Sequence, residues 1–113
     1  MKNITFPELL AFADRNPDGF TIDKYGKVIT KGVAIAVTNG QNDFNKMTPI
    51  EVYLAVRQSD ELVFGGWRDK DGKYYIDAVH IAPYMNAHAI RFAQMHSQKA
   101  VFNITTSETI ETN

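Results

Sequence analysis

Val33-Ala-Ile-Ala-Val-Thr38 is a nearly unbroken run of small and β-branched apolar residues. Such a run suits a strand covered on both faces, or at least a central one. Downstream of it, Asn39-Gly40 opens a polar loop that extends to Lys46. Thr48-Pro-Ile-Glu51 then carries two helix-start signals, a threonine with glutamate three residues on and a proline at the first helical position. A helix is predicted over residues 49–59, with Met47 and Val52 spaced as a hydrophobic staple. Residues 62–67 and 73–81 read as strands joined by the hairpin connection Asp69-Lys-Asp-Gly72. A helix over 83–97 has Met85, Ala89, Phe92, Ala93 and His96 on one side and Tyr84, His88, Arg91 and Met95 on the other. A strand over 99–105 follows.

From residue 33 onward the order is strand, helix, strand, strand, helix, strand. That is the split βαβ, or ferredoxin-like, pattern. Right-handed crossovers place strands 33–38 and 73–81 side by side in the centre, with both helices on one face. Upstream, a helix over 5–16 is capped by Thr5 with Glu8 and ends at Asn16-Pro-Asp-Gly19. Two short strands, 20–23 and 27–30, flank Tyr25-Gly26, and Gly65-Gly66 is read as a bulge. The fold class expected is therefore α+β: a mainly antiparallel sheet covered by helices, with an N-terminal helix and hairpin added to a βαββαβ unit. Residues 1–105 form one domain in this reading, and 106–113 form a polar tail without fixed structure.

Composition narrows the function classes. Of 113 residues, 44% are hydrophobic and 22% charged, enough apolar surface to offset the entropy of ordering a core. The net charge of -1 lacks the basic footprint of a non-specific nucleic-acid binder. With no cysteine, a disulfide scaffold, a thiolate metal site and a cysteine nucleophile are all excluded. The N-terminal apolar stretch is interrupted by Pro7, Glu8 and Asp14, so neither a signal peptide nor a membrane span is expected and the chain reads as cytoplasmic.

The candidate chemistry is sparse. His88 and His96 are two turns apart on opposite sides of their helix, unlike the paired histidines of a metal-binding helix, so no metal or other cofactor is expected. Alternation puts Asp77 on one strand face with Tyr75, Val79 and Ile81, and His80 on the other with Tyr74, Ile76 and Ala78. An acid in a central strand is costly unless paired, and Arg68 or Lys99 is the expected partner of Asp77. The loop 39–46 lies between a central strand and a helix N-terminus, where free backbone N–H groups point outward. Asn39, Gln41, Asn42 and Asn45 would contact a small polar ligand there. Phe64, Trp67, Tyr74 and Tyr75 crowd one hairpin, as base-stacking aromatics do in RNA-binding sheets, but the basic and glycine-framed pattern around them is missing. The candidate ligand-binding set is Asn39, Gln41, Asn42, Asn45, Trp67, Arg68, Asp77 and His80.

Gly19-Phe-Thr-Ile-Asp23, Lys31-Gly-Val-Ala-Ile-Ala-Val37, Gly65-Gly-Trp67, Lys73-Tyr-Tyr-Ile-Asp77 and Gln98-Lys-Ala-Val-Phe102 together resemble short proteins carried by phages and mobile elements. The resemblance rests on strand and turn motifs, and it implies a small accessory protein acting on a host protein. The function expected is non-catalytic binding to a protein partner, with self-association through edge strand 62–67 or 99–105. The alternatives are a small-molecule binder using loop 39–46 and a small enzyme using Asp77 and His80, with Arg68 as a further candidate.

Overall fold

The computed structural model describes residues 2–37, 48–96, 98 and 100–112. Helix α1, Phe6–Arg15, starts where the capping logic puts it. The Thr5 backbone N–H donates to Glu8 Oε1 at 2.9 Å, and the Glu8 N–H donates to Thr5 Oγ1 at 3.2 Å. Two N–H groups that the first turn leaves open are thereby satisfied. Helix α2, Pro49–Gln58, repeats the arrangement with Thr48 and Glu51. Helix α3, Ala87–Met95, starts later than the residue-83 start expected, because the Asn86 side chain accepts the Ala89 N–H at 2.9 Å and sets the cap there. No helix among the described residues is long and apolar enough to cross a membrane.

The strands are β1 (Phe20–Ile22), β2 (Val33–Ala36), β3 (Val63–Arg68), β4 (Tyr74–Ala82), β5 (Ala100–Asn103) and β6 (Glu108–Glu111). They form one antiparallel sheet in the order β1-β3-β4-β2-β5-β6. The inner four, β3-β4-β2-β5, are the interleaved order that the split βαβ reading requires, with β2 and β4 central. The protein is thus α+β, as its sequence indicates.

Four details differ from expectation. Residues 27–30 make one bridge, Val28 to Ile22, plus the Ile29 N–H to Thr21 O bond, because the Asp23 carboxylate ties the intervening turn to Tyr25 and Lys27. Gly65-Gly66 makes no bulge, since the register of β3 against both neighbours runs unbroken. The polar tail is not loose: 108–111 is β6. Its Ile110 pairs with Val101 and packs toward α3, and Thr112 Oγ1 donates to Gln98 O at 2.8 Å. Finally, strands 62–67 and 99–105, expected as edges for a second copy, are interior. β1 covers β3 and β6 covers β5, so neither is an edge of the sheet among the described strands.

The three described helices all lie on one face of the sheet. There, α1 and α2 close over Ile22, Phe64, Ile76 and Ala78, while α3 closes over Val33, Ile35, Ala82 and Val101. Tyr53 joins the first cluster to the N-terminus: its ring stacks 5.9 Å from Phe64, and its hydroxyl donates to Ile4 O at 2.6 Å. Fully burying one such large side chain contributes about 1.5–3 kcal/mol.

Candidate functional site

Because side chains alternate across a strand, the same β-strands present a second face on which none of the described helices packs. Register places Thr21, Gly65 and Asp77 in one row across β1, β3 and β4. The next row contains Val63, Val79 and Ala36, and a third contains Ile81, Ala34, Phe102 and Thr109. The middle of this face is small: Gly65, Ala34, Ala36 and Ala100 give it a low floor. Its rim is tall, with Trp67 at one end, Phe102 and Ile104 at the other, and Ile29 rising from the segment after β1. The result is a concavity of 510 Å³ on the open face.

Gly65 is required there for steric reasons. A Cβ at this position would stand 2.6 Å from Val79 Cγ2, far inside van der Waals contact. Val79 is buried beside it although none of the described helices covers this face.

The rim carries the chemistry. Trp67 and Tyr75 are register partners and stack at 4.3 Å with their planes 7° apart. Lys73 Nζ lies 5.0 Å from the Tyr75 ring centre, so Trp67 and Lys73 take the two faces of Tyr75. Trp67 remains 44% exposed and Phe102 40% exposed, and both present rings to solvent beside an apolar floor. Asp18 and Asp77 line the concavity, and among its described lining residues there is no Lys, Arg or His.

The structure separates the residues singled out from sequence. Trp67 and Asp77 come together at the concavity. Arg68 does not pair with Asp77. It lies on the helical face, where Nε is 3.4 Å from Asp14 Oδ1 and the guanidinium stands 5.7 Å from the Tyr74 ring. The Tyr74 hydroxyl donates to the same Asp14 oxygen at 2.8 Å, and this bond raises the phenol's pKa above its ordinary value. His80 also faces the helices, with its ring 4.7 Å from Phe92, which in turn lies 4.6 Å from His96. Asp77 and His80 therefore point to opposite sides of the sheet, and the convergent pair that an enzyme reading needs is not formed. Among the described residues, no three His, Asp or Glu side chains gather at metal-binding distance. Of the four crowded aromatics, Trp67 and Tyr75 share the open face, while Phe64 and Tyr74 lie beneath the helices. Asn39, Gln41, Asn42 and Asn45 lie outside the described residues, as does Lys99.

Sequence reading missed Asp18, Ile29, Gly65, Ala34 and Phe102 as site residues. One signal was available: VAIAVT alternates alanine with larger residues, so one face of that strand is small. No protein-family model, no curated protein and no solved structure matches the chain.

Proposed function

We propose that the protein is a non-catalytic binding module that takes a partner protein on the open face of its sheet. The supporting observation is the concavity itself. A half-exposed tryptophan and phenylalanine flank a floor of glycine and alanine on a face that none of the described helices covers. Contiguous exposed apolar surface marks recognition sites, because leaving it in water is unfavourable. Aromatic anchors rimming a small-residue floor are the usual form of an interface centre. A role as the accessory protein of a phage or mobile element, acting on a host protein, rests on the motif resemblance.

The test is capture from a host lysate with the wild type, Trp67→Glu, Phe102→Glu and a control, Tyr84→Glu, at an exposed site outside the sheet. A protein retained by wild type and Tyr84→Glu but lost with both face variants, at unchanged thermal midpoints, supports the reading. Equal retention by all four overturns it.

A second reading, small-molecule binding, is favoured by one measurement. A volume of 510 Å³ falls within the range of ligand clefts. It uses the open-face concavity, with Trp67 and Asp77 among the contacts.

A further inference from the structure

Independently of the open-face reading, we infer that β6 is a docking edge for an extended, basic segment of a partner protein, which joins the sheet as a further strand beside Glu108–Glu111.

The first reason is a ladder left open. In the order β1-β3-β4-β2-β5-β6 the sheet ends at β1 and β6 among the described strands. The β1 end is occupied, since Val28 bridges to Ile22 and the Ile29 N–H donates to Thr21 O. Beyond β6 lies no described strand. Alternation says which of its backbone groups are left over. The Ile104 N–H donates to Gly32 O at 2.8 Å, so the backbone there points toward β2. At Asn103 and Val101 it points the other way, toward their register partners Glu108 and Ile110. Thr109 and Glu111 therefore turn their N–H and C=O groups outward, about 7 Å apart along the strand. Both residues are exposed. An extended chain laid alongside satisfies such groups as a strand does.

The second reason is that the edge is held in place before anything binds. Thr112 Oγ1 donates to Gln98 O at 2.8 Å, and Gln94 Nε2 donates to Thr112 O at 2.6 Å, which ties one end to α3. At the other end the Thr106 N–H donates to Asn103 Oδ1 at 3.3 Å. Between them, Ile110 packs against the α3 cluster. An edge already ordered lowers the entropy cost of association.

The third reason is charge, which selects the occupant. Glu108 and Glu111 are exposed, and neither forms an ion pair among the described residues. A second copy of β6 would bring two more carboxylates to the same ladder, and charged edge residues discourage self-pairing. A segment reading basic-apolar-apolar-basic, laid antiparallel, answers each position instead. Its cations meet Glu111 and Glu108. One apolar residue lies beside Ile110 on the helical side, and the other lies beside Thr109, toward Phe102 and the concavity.

The probes are two capped hexapeptides, threonine-lysine-valine-valine-lysine-threonine and the same with glutamate in place of lysine. Each is titrated into isotope-labelled intact protein and followed by amide NMR. The lysine peptide is expected to move the Thr109 and Glu111 amide signals more than those of Glu108 and Ile110, and to bind roughly tenfold tighter than the glutamate peptide. The double variant Glu108→Lys, Glu111→Lys should reverse that preference. Thr109→Pro removes an outward N–H while sparing the β5 ladder, so it should weaken the lysine peptide, and it serves if the charge reversal does not fold. Trp67→Glu should change none of this, because Trp67 stands on β3.

Equal binding of the two peptides, or unmoved Thr109 and Glu111 signals up to millimolar concentration, overturns the docking edge and leaves the open-face reading standing. So does lysine-peptide binding that Trp67→Glu abolishes, since the segment would then lie on the open face. Lysine-peptide binding at β6, with lysate capture that ignores Trp67 and Phe102, keeps the edge and removes the open-face reading.

Discussion

Phe64 and Gly65 are neighbours in the chain, yet they belong to opposite faces of the sheet. Phe64 is fully buried beneath α1 and α2, stacked on Tyr53. Gly65 contributes nothing but space, and that space is part of the concavity. The same contrast recurs across the sheet. Ile35 is buried against the helical layer while Ala34 and Ala36 floor the open face, and Val101 is buried while Phe102 stands half out. One face is filled with large side chains and supplies cohesion. The other is emptied by small ones and supplies room for a partner. Alternation lets one strand serve both ends, because a change on one face leaves the other in place.

The largest expected effect tests that division directly. Phe64→Ala should lower stability by about 3–5 kcal/mol, since it removes a fully buried ring and leaves a cavity. Phe102→Ala should cost no more than about 1 kcal/mol, since its ring is already partly in water. Denaturant unfolding of both variants measures the gap. Similar losses would mean that the open face holds the fold together as the helical face does.

Gly65→Ala comes next. On ordinary strand backbone, replacing glycine by alanine stabilises by about 0.4–1 kcal/mol through the unfolded chain. Here the new Cβ meets Val79 Cγ2 at 2.6 Å, so overpacking of about 1–3 kcal/mol should reverse the sign. A double-mutant cycle with Val79→Ala checks the cause. The two changes should be strongly non-additive, with the second relieving the first. An additive cycle would place the strain elsewhere.

Much of the helical face was legible in the sequence, and much of the open face was not. Thr5 with Glu8 and Thr48 with Glu51 announce their helices because a capping box is a local device, readable over four residues. Alternation alone put Asp77 and His80 on opposite sides of β4, as they are. Pairing Arg68 with Asp77 failed for a different reason. Which residue faces which across two strands is set by register, and register is fixed by the whole sheet rather than by either strand. Strand β6 escaped notice because Glu108-Thr-Ile-Glu111 carries one apolar residue, Ile110, and its strand character comes from pairing with β5 and from the Thr112 hydroxyl bond to Gln98. The concavity combines both difficulties. Its members come from all six strands and the segments that connect them, and each is unremarkable until register brings them together.

Smaller effects sharpen the comparison from the helical side. Thr48→Ala should cost about 1 kcal/mol, the usual price of a lost N-cap, and should leave capture through Trp67 and Phe102 intact. Acidification gives the finest discrimination. Glu8 and Glu51 titrate below the ordinary glutamate range, held down first by the backbone N–H groups of Thr5 and Thr48 and then by the threonine hydroxyls. A carboxylate whose folded pKa is depressed stabilises the fold above its unfolded value, and that contribution is lost as pH falls through the folded value. Glutamine keeps the reciprocal cap geometry but cannot titrate. A Glu8→Gln, Glu51→Gln double variant should therefore melt slightly below wild type near neutrality and converge with it as acidification protonates the wild-type glutamates, so that it loses less stability on the way down. Phe102→Ala, on the open face, should keep the wild-type acid slope. If the double variant also keeps it, the pH sensitivity lies outside the capping boxes.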